Sequence, residues 1–250
     1  MNIWIYIIIS TSIVSLTSLT GIFFILANKK VLSGIVDYLV SFAVGGLFGG
    51  AFFHLIPEAL EHFEGTSTGS LIIIIGILLF FILEKFLHWR HNHTKSFTDS
   101  TVKVHGPINI IADAFHNFID GVLIAASFQI SIELGIATSL AVLIHEIPQE
   151  IGDFGVLIHS GYSTKKALLY NLLSALSAFA GVLLVLILGQ GAQSFSNYII
   201  PLAAGGFIYL AGSDLIPELH NEHSFKKTSV QLITMIIGLS ILYSLTFLEN

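Results

Sequence analysis

Two short polar strings lie inside apolar stretches of this chain, and both are rich in side chains that bind metal ions. They read HNFID at positions 116–120 and HEIPQE at positions 145–150. Each stretch is long enough to cross a bilayer, where an ionisable group at mid-depth costs about 2.5–3.5 kcal/mol. The strings contain six candidate ligands and therefore indicate a polar site inside a membrane: His116, Asn117, Asp120, His145, Glu146 and Gln149.

The spacing of these residues places them at one depth. The two segments join near Ser131, with His116 fifteen residues before this point and Glu146 fifteen after it. At a rise of about 1.5 Å per residue, both reach the same level of a helical hairpin. Residues four apart share a helix face, which pairs His116 with Asp120 and His145 with Gln149. Imidazole and oxygen ligands without sulfur suit Zn²⁺, Fe²⁺, Mn²⁺ or Cd²⁺. The alternative is a hydrogen-bond network that only joins the two helices.

The composition indicates one integral membrane domain over residues 1–250. The chain is 54% hydrophobic and 10% charged, whereas soluble domains carry about 25% charged residues. It contains no cysteine, which excludes disulfides and thiolate ligands. We expect the protein to interact with a divalent metal ion and the lipid bilayer and not with nucleic acid. A homodimer is compatible with the sequence. Apolar runs predict eight transmembrane helices: Ile3–Ala27, Ile35–His62, Leu71–His88, Pro107–Phe128, Leu134–His159, Ala167–Leu188, Tyr198–Leu219 and Val230–Phe247.

The basic residues predict the orientation of these spans. All ten lysines and arginines fall in or beside odd-numbered connections, which share one side if there are eight spans. Because positive residues stay in the cytoplasm, we expect both termini to be extracytoplasmic, with the plasma or inner membrane as the location. No basic residue precedes the first apolar run, so we interpret it as a retained helix rather than a signal peptide.

A repeated motif predicts an internal symmetry. Two glycines followed by HLIPE at 54–58 recur, 160 positions later, as two glycines followed by DLIPE at 214–218. The two copies fall on the second and seventh spans, which run in opposite directions. We therefore predict an all-α fold in a 3+2+3 arrangement, with an inverted repeat of helices 1–3 and 6–8 around helices 4 and 5. Secondary transporters often have this layout, with sites near the midplane.

The two strings resemble those of the ZIP (Zrt/Irt-like) metal transporters, which carry HNxxDG or HNxxEG on the fourth helix and HExPxE on the fifth. This chain reads HNFIDG and HEIPQEIGDF and is most similar to the branch with HNFTDG and HEIPHELGDF. The resemblance extends over the whole chain. It implies a carrier, mainly of Zn²⁺, that moves metal toward the cytoplasm and is not an enzyme.

The resemblance also implies roles for individual residues. His116, Asp120, His145 and Gln149 would form the metal site, with Asn117 and Glu146 lining an adjacent second position. Gln149 departs from the pattern, because this branch has His there and others have Glu; a neutral amide is a weaker Zn²⁺ ligand. Relatives with two metals have a Glu on the sixth helix, where this chain has Ser174 as the nearest position.

Further polar residues suggest a route to and from this site. His54 and Glu58 lie toward the outer end of the second span and are entrance candidates. Asp113 and Asp153 lie on the cytoplasmic side of the metal site and are exit candidates. Asp214 and Glu218 of the seventh span are exit candidates as well. The connection between the third and fourth spans carries His88, His91, His93 and His105. This tract could sense metal or could simply be a polar loop.

Two rival functions use the same residues. The sequence HEIPQ at 145–149 resembles the HExxH string of zinc metalloproteases, which would make the protein an intramembrane zinc hydrolase. The second His of that string is missing, and an inverted repeat has no purpose in such an enzyme. A structural or sensory relative that does not transport is the other alternative, and metal accumulation separates it from a carrier.

Overall fold

The computed structural model describes residues 3–22, 29–92, 102–220 and 224–248, and its regular elements are helical throughout these ranges. The predicted all-α fold is therefore confirmed. The α-helices are α1 Ile3–Leu16, α2 Lys29–Gly50, α3 Ile56–His62, α4 Ser67–Asn92, α5 Val102–Ile130, α6 Ile132–His159, α7 Thr164–Ala175, α8 Ser177–Leu188, α9 Ala192–Tyr209, α10 Ile216–Leu219 and α11 Phe225–Leu245.

Six helical segments of the described residues are long and apolar enough to cross a membrane. They are Ile3–Thr20, Ile35–His62, Asn109–Ile130, Thr164–Leu188, Ala192–Ser213 and Phe225–Leu245, and a shorter apolar helix covers Ser67–Leu83. Helix α6 is 28 residues long but is more polar, because it carries Glu146, Glu150 and Asp153. The chain is thus a multi-pass membrane protein, while the count of eight spans stays a prediction.

The repeated motif has the same unusual backbone in both copies. A turn of π-helix, Ala51–Leu55, directly precedes Ile56 and Pro57, and a second one, Leu210–Leu215, precedes Ile216 and Pro217. Proline has no N–H and its ring crowds the preceding turn, so the backbone widens locally before it. The two π-helical turns show that the repeat extends beyond the letters of the motif to the backbone.

The repeat also includes a break in the first helix of each half. Helix α1 ends at Leu16 and continues as a 3₁₀ turn, Thr17–Thr20, while α7 ends at Ala175 and the chain resumes as α8. Ser15 and Ala175 occupy equivalent positions, 160 residues apart, and the Ser15 hydroxyl donates to the Ala175 carbonyl at 3.0 Å. The predicted first and sixth spans are therefore interrupted rather than continuous helices.

Helix packing follows the same symmetry. Helix α2 packs on α11, and its counterpart α9 packs on α4. In both interfaces a glycine touches backbone: a Cβ at Gly45 would overlap the carbonyl oxygen of Met235, and one at Gly205 would overlap that of Ile73. Such glycine contacts allow close approach of helices in lipid, where packing rather than the hydrophobic effect drives association.

The central hairpin of α5 and α6 is held at both its tip and its middle. Ser131 caps α6 by accepting from the Leu134 amide at 3.0 Å. Nearer the middle, Gly46 of α2 packs on Ile144, and a Cβ at Gly50 would lie 2.9 Å from that of Ala141. The small residues of α2 thus bring it against the turn of α6 that precedes His145.

Candidate metal centre

Four ligand atoms from the central hairpin converge on one point. His116 and Asp120 project from α5, and His145 and Glu146 project from α6, so that their nearest nitrogen and oxygen atoms all lie within 4.8 Å of one another. His116 Nε2 lies 3.3 Å from His145 Nε2, 3.5 Å from Glu146 Oε1 and 3.7 Å from Asp120 Oδ2. His145 Nε2 lies 3.6 Å from Asp120 Oδ2 and 3.9 Å from Glu146 Oε1.

These separations match a tetrahedral metal site better than a hydrogen-bond network. Zinc binds nitrogen and oxygen at about 2.0–2.2 Å, so tetrahedral ligand atoms stand about 3.3–3.6 Å apart. All five distances above exceed the usual length of a direct hydrogen bond, which is about 2.7–3.2 Å. The side chains therefore surround a common point instead of pairing with each other.

Burial supports the same conclusion. Glu146 is fully buried, and Asp120 and His145 are 2% and 3% exposed. Neither oxygen of Glu146 has a hydrogen-bond partner within the described part of the chain, and the same holds for Asp120 Oδ2. Buried acceptors without donors are costly in a low-dielectric interior. A divalent cation at the centre of the cluster would satisfy Glu146 Oε1 and Asp120 Oδ2 at once.

The second ring nitrogen of His145 prepares the first for metal binding. His145 Nδ1 lies 3.0 Å from the Ala141 carbonyl oxygen, which can only accept. The N–H therefore resides on Nδ1 and leaves the lone pair of Nε2 directed at the cluster. Metal-bound histidines commonly use such an outer hydrogen bond to fix tautomer and ring orientation.

The structure brings Glu146 into the primary cluster, whereas the family pattern placed it in an adjacent position. Gln149, which the pattern placed in the primary set, lies one turn further along α6 and is half-buried. Asn117 is fully buried on α5, but its Nδ2 donates to Asp113 Oδ1 at 2.8 Å. The roles of Gln149 and Asn117 stay predictions.

The proposed entrance and exit residues are dispersed. His54 is buried and its Nε2 lies 2.9 Å from the Leu242 carbonyl oxygen of α11, while Glu58 is half-buried near the end of the same span. On the other side of the cluster, Asp153 accepts from Asn109 at 3.0 Å. The side chains of Asp214 and Glu218 lie outside the described residues.

Helix α7 contributes two polar residues that the motifs do not include. Asn171 Nδ2 donates to Glu150 Oε2 at 2.8 Å, and the Ser174 hydroxyl donates to Asp113 Oδ2. Each carboxylate lies three or four residues from a member of the cluster. The sequence signal for α7 was weak, because serine and asparagine in an apolar helix also occur without any function.

Two histidines and two carboxylates, three of them buried, converge in a bundle of apolar helices and form a candidate divalent-metal site in a membrane protein. The model of the ZIP zinc transporter family matches this chain over residues 1–105 and 90–246. The chain therefore belongs to the ZIP family, and the predicted resemblance is confirmed.

Individual relatives agree with this placement. The chain is 31% identical to zinc transporter zipt-7.2 of Caenorhabditis elegans over 99% of its length and 66% of that protein. It is 33% identical to zinc transporter ZIP13 of Pongo abelii over 82% of its length and 65% of the relative. Zinc transporter SLC39A7 of Homo sapiens is 30% identical over 100% of this chain and 72% of its own length. The chain thus spans about two thirds of the first two relatives.

The hydrolase alternative loses its support at this point. The family and these relatives are named as transporters and not as enzymes. In the structure Glu146 Oε1 lies among the candidate ligand atoms, 3.5 Å from His116 Nε2. In an HExxH enzyme that glutamate would stand beside the metal as a general base.

Proposed function

We propose that this protein moves Zn²⁺ across a membrane toward the cytoplasm by alternating access, with the ion held between α5 and α6. The observation that carries this proposal is the set of four ligand atoms that lie within 4.8 Å of one another inside the helical bundle. Zinc is the metal in the names of the relatives. Fe²⁺, Mn²⁺ and Cd²⁺ accept the same kinds of ligand and are further candidate substrates.

The charge of the cluster suits a divalent ion. Asp120 and Glu146 supply two negative charges, and neutral His116 and His145 add none, so a bound Zn²⁺ makes the centre neutral overall. Neutrality lowers the cost of carrying an ion through a low-dielectric environment. Gln149 and Asn117 are proposed as neighbouring oxygen ligands, through which the ion enters or leaves the four-residue site.

The repeat gives this function a mechanical basis. Helices α2 and α9 carry the matching motifs and pack on α11 and α4 respectively, so the two halves are built alike around the central hairpin. Alternating access needs two such related arrangements of similar energy. We place eight spans in the membrane with both termini extracytoplasmic, in the plasma or inner membrane, and allow for a homodimer.

Transport itself is the test. The full chain is reconstituted in liposomes that contain a zinc-sensitive dye, and zinc is added outside. We expect saturable dye signal in these vesicles, little signal in protein-free vesicles, and little signal with the His116→Ala/His145→Ala variant. Zinc binding by the purified protein without any flux would instead identify a sensory or structural relative.

A further inference from the structure

A polar relay connects the metal cluster to α7 through Asp113. Asn117 Nδ2 has two acceptors from this residue, Oδ1 at 2.8 Å and the backbone carbonyl at 3.2 Å. The other carboxylate oxygen of Asp113 accepts from the Ser174 hydroxyl. Asp113 and Ser174 are 4% and 2% exposed, and Asn117 is fully buried, so water does not compete for these contacts.

The relay decides which end of the Asn117 amide is available to a cation. An asparagine side chain can present either its carbonyl oxygen or its NH₂ group, and its hydrogen-bond partners select between them. Here both partners of the nitrogen are acceptors, so a flipped amide would place its oxygen against two other oxygens. The observed orientation leaves Oδ1 buried and without a donor among the described residues.

The unpartnered oxygen of Asn117 shares its burial and its lack of a donor with oxygens of the candidate metal cluster, and Asn117 lies three residues before Asp120 on the same helix face. Asp120 Oδ2 and both oxygens of Glu146 are likewise buried without donors, and Asn117 is the chain neighbour of the ligand His116. A divalent cation binds a carbonyl oxygen but is repelled by an amide NH₂. The orientation of this one amide therefore changes whether position 117 attracts the ion.

We infer that Asp113, held by Ser174, is a positioning residue that turns the Asn117 amide so that its carbonyl oxygen serves the transported divalent cation. This inference rests on the proposed function, because it concerns the same ion. We assign Asp113 to positioning because both of its carboxylate oxygens accept hydrogen bonds, one from Asn117 and one from Ser174. This differs from an exit role for Asp113, in which its charge would attract the metal directly.

Substitutions can separate geometry from charge. Asp113→Asn removes the charge but keeps a carbonyl oxygen for the Asn117 nitrogen. Asp113→Leu is similar in size and removes the acceptor. Asn117→Asp places a second carboxylate against Asp113, so the pair has two acceptors and no donor. The double variant Asp113→Asn/Asn117→Asp restores the hydrogen bond in the reverse direction, with the amide at 113 as donor and the carboxylate at 117 as acceptor. Each protein is purified as the full chain and checked for a single monodisperse species before it is measured.

Two readouts are taken on every variant: zinc affinity of the purified protein by competition with a chromophoric chelator, and the KM and kcat of zinc uptake into liposomes. We expect Asp113→Asn to remain within about threefold of wild type. Asp113→Leu and Asn117→Asp should weaken binding and raise KM about tenfold or more, as expected for loss of one buried hydrogen bond. The double variant should recover most of the affinity that Asn117→Asp loses.

Three results would overturn the inference: equal defects in Asp113→Asn and Asp113→Leu, wild-type behaviour in all variants, or no recovery in the double variant. The first would show that charge matters rather than orientation. If Asp113→Leu does not fold, the comparison of Asn117→Asp with the double variant decides alone. Failure of the proposed function would look different, because wild-type protein would then bind zinc without transporting it. The order of zinc affinities among the variants would still test the relay in that case.

Discussion

The Nε2 atoms of His116 and His145 lie 3.3 Å apart, although the two residues come from different helices and are separated by 29 positions in the chain. The Nδ1 atom of His145 is engaged by the Ala141 carbonyl, so the Nε2 lone pair of that ring points toward His116. Two imidazoles and two carboxylates around one point form a site that needs a positive ion at its centre.

Replacing His145 with alanine should abolish high-affinity zinc binding. The substitution removes a nitrogen ligand and leaves Asp120 and Glu146 buried without its support, so we expect at least a 100-fold loss of affinity and little uptake. His159→Ala is the matched control, because His159 is an exposed residue at the end of the same helix. Normal uptake by a correctly inserted His145→Ala protein would remove this residue from the site.

Gln149→His should tighten zinc binding, because it adds an imidazole within one turn of His145. Slower release should accompany tighter binding, so we expect a lower KM and a reduced kcat for zinc. Gln129→His is the control, since it introduces the same side chain about 20 Å further along α5 from His116. If affinity and metal preference are both unchanged in Gln149→His, the amide at position 149 does not contact the ion.

A cross-link between α2 and α6 should arrest transport, because alternating access requires the central hairpin to move against the helices that carry the repeated motif. Cysteines at Gly50 and Ala141 suit this purpose: a Cβ at Gly50 would stand 2.9 Å from that of Ala141, about 1 Å closer than in a relaxed disulfide. The control is a cysteine pair at Ser15 and Ala175, which joins α1 to α7 and should leave transport active. The measurement is zinc uptake before and after oxidation. Full activity in a verified Gly50–Ala141 cross-link would exclude this motion.

Gly45→Ala should destabilise the fold strongly. A Cβ at this position would overlap the Met235 carbonyl oxygen, so α2 and α11 would have to separate, at a cost of about 1–3 kcal/mol. Gly205→Ala should behave alike, because it meets the Ile73 carbonyl in the symmetry-related interface. Gly152→Ala is the control: a Cβ there meets nothing within 4 Å, and alanine favours helix by about 1 kcal/mol. Thermal unfolding in detergent measures all three, and equal melting temperatures would refute the packing argument.

The sequence predicted His88, His91 and His93 in a connecting loop, but α4 extends to Asn92 and contains the first two, while His93 lies outside the described residues. We expect these histidines to regulate transport rather than take part in it. Replacing His88, His91 and His93 with serine should leave initial uptake into zinc-free vesicles within about twofold of wild type, since the candidate site between α5 and α6 offers four ligand atoms without them. The response to high internal zinc should change, because weak ligands fill only at high concentration. Uptake is compared in vesicles of defined internal zinc. Near-complete loss at low internal zinc would place these residues in the obligatory pathway.

The convergence of candidate ligands on the central hairpin could be predicted from the sequence, whereas the breaks in the surrounding helices could not. Matching depth and four-residue spacing were enough to bring His116 and His145 together, because two long helices joined by a tight turn allow little other geometry. The presence of Glu146 beside the two histidines depends on the rotation of α6 about its axis, which periodicity does not resolve, and the role of Gln149 stays a prediction.

The breaks in the spans were also beyond the sequence. The end of α1 near Leu16 follows from hydroxyl groups that bond back to the preceding turn, as Thr17 does to the Val14 carbonyl at 2.6 Å. Serine and threonine occur in unbroken membrane helices as well, so composition did not reveal the break. Likewise, the contact of Asn171 with Glu150 joins residues 21 positions apart and depends on tertiary packing alone.

The interface between α2 and α11 has a consequence for biosynthesis. Gly45 and the Met235 carbonyl that packs on it are separated by about 190 residues, which a ribosome translates in roughly 10–40 s. During this interval the glycine face of α2 is already in the membrane while the helix that covers it is still being made. Helix α11 therefore completes the interface of a helix made much earlier, so a nascent chain that stops before α11 should be exposed to quality-control proteases along α2.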